Sequence, residues 1–231
     1  GRTPNPDVLC NREIKFAPFK QHALSLGADY IATGHYCKAG EYDGEPVLLK
    51  AADANKDQTY FLNQVTTDQL TRVLFPLGDL EKPEVRRIAV ENDLVTARKK
   101  DSTGICFIGE RKFRAFLSEY LPSKKGRIVD VNGKEVGEHY GLMYYTLGQR
   151  KGLGLALPAP LYVCRKDMER NEVILSSEDA LFTTTCIVGD FNWIAYERPS
   201  DPVRVTAKTR YRAKEAPATA RVLEDGRVEL V

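Results

Sequence analysis

Apolar residues follow two different spacings along this chain, and the change between them divides it. Up to about residue 121 they recur every three or four positions or form short runs; beyond Pro122 they alternate. "HALSLGADYIATGHY" (22–36) reads as a helix end, a glycine turn and a short buried strand at Tyr30–Thr33. Just upstream, Pro18 makes 11–16 and 19–26 either two helical pieces or one kinked helix. "GEYDGEPVLLKAADANKDQTYFL" (40–62) predicts a hairpin on Asp43-Gly44 and a helix starting near Asp57.

From 66 to 121 the pattern is helical. Pro83 takes the first helical position of "EKPEVRRIAVENDL", with Val85, Ile88, Ala89 and Leu94 on one apolar face. "ERKFRAFLSEYL" is a second amphipathic helix, stopped by Pro122. After it, hairpins are predicted on Asn132-Gly133, around the polar turn of "LYVCRKDMERNEVILS", and on Asp225-Gly226. Closely spaced short strands predict a small β-barrel. The expected fold is therefore multi-domain, α/β and β mixed. Residues 1–68 form part of an α/β domain, 69–122 a small, mostly helical central domain, and 123–231 a C-terminal β-barrel.

Composition changes this picture in three respects. No run approaches the roughly 20 apolar residues of a membrane helix, and no segment reads as a signal peptide, so no membrane partner is expected. The net charge is only +2, but 96–127 gathers nine Lys/Arg against three acids. That segment is an anion-site candidate or a solvated face. The five cysteines form no C-x-x-C pair and match no zinc spacing, which points to a reducing, cytoplasmic setting. Gly1 opens directly into motif-like sequence, and the chain is expected to be a fragment of a longer protein.

Three stretches carry candidate chemistry. In "TPNPDVLCNREIKF" (3–16) two prolines hold a stiff turn around Asn5, with Asp7 and Cys10 three apart. If a helix starts near Cys10, its free N–H groups would favour a thiolate, helped by Arg12 or Lys15, and Asp7 could exchange protons. The plain alternative has Asp7 as a cap and Cys10 packed beneath. In "DSTGICFIGERKF" (101–113), Cys106 lies between glycines inside the basic segment, where cations lower a thiol's pKa; the alternative is an inert turn cysteine. In "VRVTAKTRYR" (203–212), alternation places Arg204, Lys208, Arg210 and Arg212 on one strand face, a phosphate track or a solvated surface. "KGLGLALP" lacks the third glycine of a dinucleotide fingerprint and is rejected.

Taken with "LGADYIATGHY", "KDQTYFL" and "YTLGQRKGLG", these stretches closely resemble the tRNA-specific 2-thiouridylase family, in its order and over nearly the whole chain. The resemblance implies a remnant of a Rossmann-like adenine-nucleotide hydrolase domain at the front and an RNA-binding barrel at the back. It implies ATP-dependent 2-thiolation of a wobble uridine through an adenylated RNA and a cysteine persulfide. Cys106 matches the sulfur carrier, Cys10 the second catalytic cysteine and Asp7 an acid/base. Asn5, Pro6 and Asp7 match the turn on the target base, and His35, Lys56, Asp57, Gln58, Arg210 and Tyr211 match tRNA contacts. Gly34 matches a position lining the ATP site. ATP with Mg2+ and a persulfide donor are implied, with tRNA and a sulfur-relay protein or cysteine desulfurase as partners. A Cys10–Cys106 disulfide is implied after each turnover. The family's Ser-Gly-Gly-x-Asp-Ser phosphate loop is absent from these residues, so the chain alone is expected to be inactive. Two rivals are a non-catalytic RNA-binding module and a thiol oxidoreductase using Cys10 and Cys106.

Overall fold

A computed structural model describes residues 5–100, 113–156, 159–194 and 197–231. The chain divides into two compact units, one of Asn5–Ser102 with Thr185–Val231, the other within Thr103–Thr184.

The first unit starts with a helical run bent by its own proline. Helix α1 (Pro6–Cys10) passes into a π-type segment, Asn11–Phe19, and then α2 (Lys20–Ser25). The break falls at Ala17 (φ −119°, ψ −105°), because the ring of Pro18 denies its predecessor the helical region. Two helical pieces meeting at a kink are thus the outcome. Gly27 (φ +93°) reverses the chain into β1 (Ile31–Ala32), which pairs in parallel with β4 (Val73–Leu74). Between them, β2 (Cys37–Tyr42) and β3 (Glu45–Lys50) form the hairpin on Asp43-Gly44. Both turn residues have positive φ, as a two-residue turn between right-twisted strands requires. A 3₁₀ turn at Thr59–Leu62, α3 (Thr67–Leu70) and α4 (Lys82–Glu91) complete this stretch.

Phe16, Ile31, Cys37, Leu62, Val65, Leu70, Val73 and Phe75 form the core of this unit, with Ile194 of the C-terminal stretch packed against it. That stretch contributes β9 (Cys186–Val188), β10 (Val203–Ala207), β11 (Ala216–Val222) and β12 (Val228–Leu230), in the sheet order β10-β11-β12-β9. Asn192 Nδ2 fastens the two stretches by donating to the carbonyls of Asn63 (3.0 Å) and Val65 (2.9 Å).

The second unit holds α5 (Phe113–Ser118), β5 (Gly126–Asp130), β6 (Glu135–His139), β7 (Tyr162–Asp167) and β8 (Glu172–Ser176). Its sheet order is β6-β5-β8-β7, with the two central strands parallel. Every residue of β8 is buried. The one acid among them, Glu172, is neutralised by Arg127 from its register partner. Ile128, Leu142, Tyr145, Leu153, Val163, Val173 and Leu175 fill this core.

Candidate active site

The turn at the start of the described chain is a capped helix end. Asn5 is extended (φ −96°, ψ 105°), and its Oδ1 accepts from the N–H of Asp7 (3.1 Å) and of Val8 (3.3 Å). Pro6 follows, where a missing N–H costs nothing. The cap is therefore Asn5 and not Asp7. The helix starts at Pro6, four residues before Cys10, which corrects the expectation that Cys10 sits at a helix N-terminus. The dipole's positive end faces Asp7 instead. Asp7 and Cys10, three apart, share one face and are both half-buried. Arg12 was one expected helper of the thiol, but its guanidinium is engaged by Glu13 (2.6 Å) and Gln64 (2.7 Å).

Cys10 is a free thiol, as are Cys37, Cys164 and Cys186. Cys106 and its glycines lie outside the described residues, so the disulfide implied by the resemblance has no support here. Cys37 is fully buried, and desolvation, with Asp57 nearby, pushes its thiol up to about 12. It is a core hydrophobe.

Asn11 joins this helix to the next group of candidates. Its side chain is 1% exposed, and Nδ2 donates to the Phe61 carbonyl at 3.0 Å, while Oδ1 is buried with no partner among the described residues. Just before Phe61, Asp57 is buried. Its Oδ2 accepts from Ala51 N–H (2.8 Å) and its Oδ1 from the Thr59 hydroxyl (2.5 Å). Gln58 pairs twice with Tyr36: Oε1 accepts from Tyr36 N–H (2.9 Å), and its own N–H donates to the Tyr36 carbonyl (2.8 Å). Lys56 turns the chain through its N–H to Asp53. The Lys56–Gln58 turn is thereby fixed beside His35.

His35 stands against Phe16 (5.8 Å between ring centroids) and Phe75 (6.3 Å), with Nδ1 2.9 Å from Thr33 Oγ1. Burial, and then the charge of Lys15, push its pKa down to about 4, so the ring is neutral at pH 7. Gly34 is exposed, and a Cβ there would meet only Leu77 Cδ1 at 3.8 Å.

The C-terminal candidates reach the same group by ring packing. Tyr211 lies 4.5 Å from Phe61 and 6.2 Å from Tyr60, centroid to centroid. The expectation of one cationic strand face is corrected, since β10 ends at Ala207, paired to Ala216. Lys208, Arg210 and Arg212 lie in the turn beyond it, closed by Ala213 N–H to the Arg210 carbonyl (3.0 Å), so strand alternation does not align them with Arg204. The connectors Asn11, Phe61 and Tyr60 were missed in the sequence. The available signal was a polar Asn beside Cys10 in a run that had to be packed.

Three family models match in succession. They are described as a tRNA methyl transferase HUP domain (residues 1–110), a tRNA methyl transferase PRC-barrel domain (114–177) and an aminomethyltransferase β-barrel domain (183–231). A protein of Marinomonas sp. (strain MWYL1) named tRNA-specific 2-thiouridylase MnmA is 52% identical over 238 residues, covering 100% of this chain and 61% of that protein. The chain belongs to the tRNA-specific 2-thiouridylase family. Family members of the same name from Shouchella clausii (strain KSM-K16) and Escherichia coli (strain SMS-3-5 / SECEC) are 54% and 51% identical, covering 98% and 100% of the chain. The chain spans 61–65% of the length of these family relatives. The expected Rossmann-like and barrel classes agree with the matched family domains. Among the described residues no helix is long and apolar enough to cross a membrane.

Proposed function

We propose that this chain carries the thiols, the base-holding turn and RNA-facing surfaces of a tRNA 2-thiouridylase, which uses ATP to replace the 2-oxygen of a wobble uridine with sulfur. The observation that best supports this is the linked geometry of the first unit. Asp7 and Cys10 share one turn capped by Asn5, and Asn11, Phe61 and Tyr211 connect that turn to the Lys56–Gln58 and Arg210 segments.

In this reading Asn5 and Pro6 present the base, and Asp7 exchanges protons beside it. A uridine carbonyl is a poor electrophile, and ATP makes its oxygen a leaving group as AMP. Gly34 lets the nucleotide approach the backbone, since packing inside the chain does not itself demand a glycine there. Magnesium would enter as the counter-ion of ATP; among the described residues no three His, Cys, Asp or Glu side chains converge as metal ligands. The terminal sulfur of a Cys106 persulfide bonds to C2 and AMP departs with the oxygen. Cys10 thiolate then attacks Cys106 Sγ, and the breaking S–S bond leaves its electron pair on the new 2-thiouridine. If Cys10 instead attacks first, sulfide is released and itself displaces AMP. Both routes end in a Cys10–Cys106 disulfide that a dithiol must reduce, which suits a reducing cytoplasm. A sulfur-relay protein or a cysteine desulfurase would reload Cys106. Neutral His35 meets tRNA through packing or a hydrogen bond, leaving ionic contacts to Lys56 and Arg210.

The test supplies full-length wild type, Cys10→Ser and Cys106→Ser with tRNA transcript, ATP, magnesium and a persulfide donor. Nucleosides are then read by mass spectrometry. The expected result is wobble 2-thiouridine from wild type with ATP, none from either variant, and unchanged tRNA affinity for both. Product formed by Cys106→Ser would overturn the assignment, and ATP-independent thiol turnover without RNA would favour the oxidoreductase.

A further inference from the structure

The second unit contains a cationic feature that the thiolation chemistry leaves unused. Antiparallel pairing of β5 with β6 sets Gly126 opposite His139, which brings the preceding Lys125 and the following Tyr140 to the same end of the hairpin. That end is built to be rigid. His139 is fully buried, its Nδ1 accepts from Gly141 N–H (3.1 Å), and its Nε2 therefore carries the proton donated to the Asn171 carbonyl (3.0 Å). Asn171 Nδ2 in turn donates to the Lys125 carbonyl at 2.7 Å. No side chain fits at Gly126, where a Cβ would lie 2.1 Å from the Asn171 carbonyl oxygen.

On this support Tyr140 is left 45% exposed. Arg114 from α5 stacks on its ring with Cζ 3.5 Å from the centroid, and Lys125 Nζ lies 5.4 Å from the same centroid. Arg114 also comes within 6.0 Å of the Tyr144 ring. Neither Arg114 nor Lys125 is ion-paired with a carboxylate among the described residues, and Lys124 adds a third exposed cation beside them. Two cations drawn to one ring repel each other, and the tyrosine quadrupole compensates only modestly. Stacking fixes the guanidinium plane but leaves its N–H edges free, the geometry that grips a phosphate in a bidentate manner.

We propose that Arg114, Lys125 and Tyr140 form an RNA-backbone site on the second unit, with Arg114 and Lys125 holding phosphates and Tyr140 positioning Arg114. The occupant is the sugar–phosphate backbone of tRNA, because the fixed positive charge, unpaired with any carboxylate among the described residues, is complementary to closely spaced phosphates. The proposal rests on the tRNA reading above.

The experiment measures binding of labelled tRNA transcript to the complete chain by fluorescence anisotropy between 50 and 300 mM salt, a range on the order of that used for such slopes. Each lost phosphate contact should weaken binding about eightfold at 0.1 M salt and flatten the log K against log salt slope by roughly 0.9. Arg114→Ala and Lys125→Ala should each show this, and the double variant roughly twice the slope change. Tyr140→Leu should weaken binding while keeping the slope, since it frees Arg114 without removing charge. Lys134→Ala, an exposed charge in the distal turn of the same hairpin, should change neither strongly. Circular dichroism checks that the variants are folded. If wild type binds and the double variant matches it in affinity and slope, this site is refuted while the tRNA reading stands. If wild type itself does not bind tRNA, both fall.

Discussion

Asn11→Ala tests whether the turn bearing Asp7 and Cys10 is held in place by one hydrogen bond. The substitution removes the Nδ2 donor 3.0 Å from the Phe61 carbonyl at a position only 1% exposed. Losing that bond costs about 1 kcal/mol, and stranding the half-buried carbonyl adds roughly 1 kcal/mol or more. Removing Asn11 Oδ1, which is buried with no partner among the described residues, returns part of this. The net destabilisation is about 1–2 kcal/mol. With a urea slope of about 2 kcal/mol/M, the unfolding midpoint should fall by roughly 0.5–1 M. The assay is convenient, because the single tryptophan, Trp193, lies in the same unit as Asn11. Asn11→Asp should be worse than Asn11→Ala, as it replaces the donor by a carboxyl facing a carbonyl in a dry site. A midpoint for Asn11→Ala at or above that of wild type would refute the reasoning, because the orphaned Oδ1 would then outweigh the bond.

Two further outcomes follow from buried cations and would-be cations in the same unit. Burial depresses the pKa of His35 from 6.5 to about 4, so the unfolded chain takes up its proton first. His35 therefore has no effect on stability above about pH 6.5, lowers it as pH falls from there to about 4, and changes nothing below, by at most about 3 kcal/mol in total. The urea midpoint of wild type should fall relative to that of His35→Gln as pH drops through that window, and parallel pH profiles would exclude the effect. Lys20 is 8% exposed and donates to the carbonyls of Asp68 (3.0 Å), Gln69 (3.1 Å) and Thr71 (2.9 Å), so it closes the C-terminal end of α3. Lys20→Met should cost roughly 2 kcal/mol by leaving the Gln69 and Thr71 carbonyls unpaired, the Asp68 carbonyl still accepting from the Thr71 hydroxyl (2.7 Å); an unchanged or higher midpoint would show that the desolvation that depresses its pKa cancels the bonds.

The sequence alone determined the parts governed by local chemistry. Asp43-Gly44, Asn132-Gly133 and Asp225-Gly226 had to turn the chain, because the glycine of each pair accepts the positive φ (82°, 81° and 87°) that few other residues do, and the alternation on either side of each turn identified the strands. Pro18 announced a kink because a ring in a helix always disturbs its predecessor. The motifs around Asn5, Asp7 and Cys10 marked the proposed site for the same reason, as the chemistry proposed for them lies in residue types at fixed short spacing. Local rules were less secure at element boundaries. They offered a helix start near Cys10 or a cap at Asp7 when the cap is Asn5, and they extended the β10 alternation past Ala207, where pairing with Ala216 ends it. Long-range assembly was beyond them. That Asn192 would bond Asn63 and Val65, that Tyr211 would pack on Phe61, and that Asn11 would reach Phe61 depended on which buried donors and rings met across the fold. Such pairings have no sequence period, since the partners are chosen by the need to satisfy buried polar groups and fill the core after the chain has collapsed.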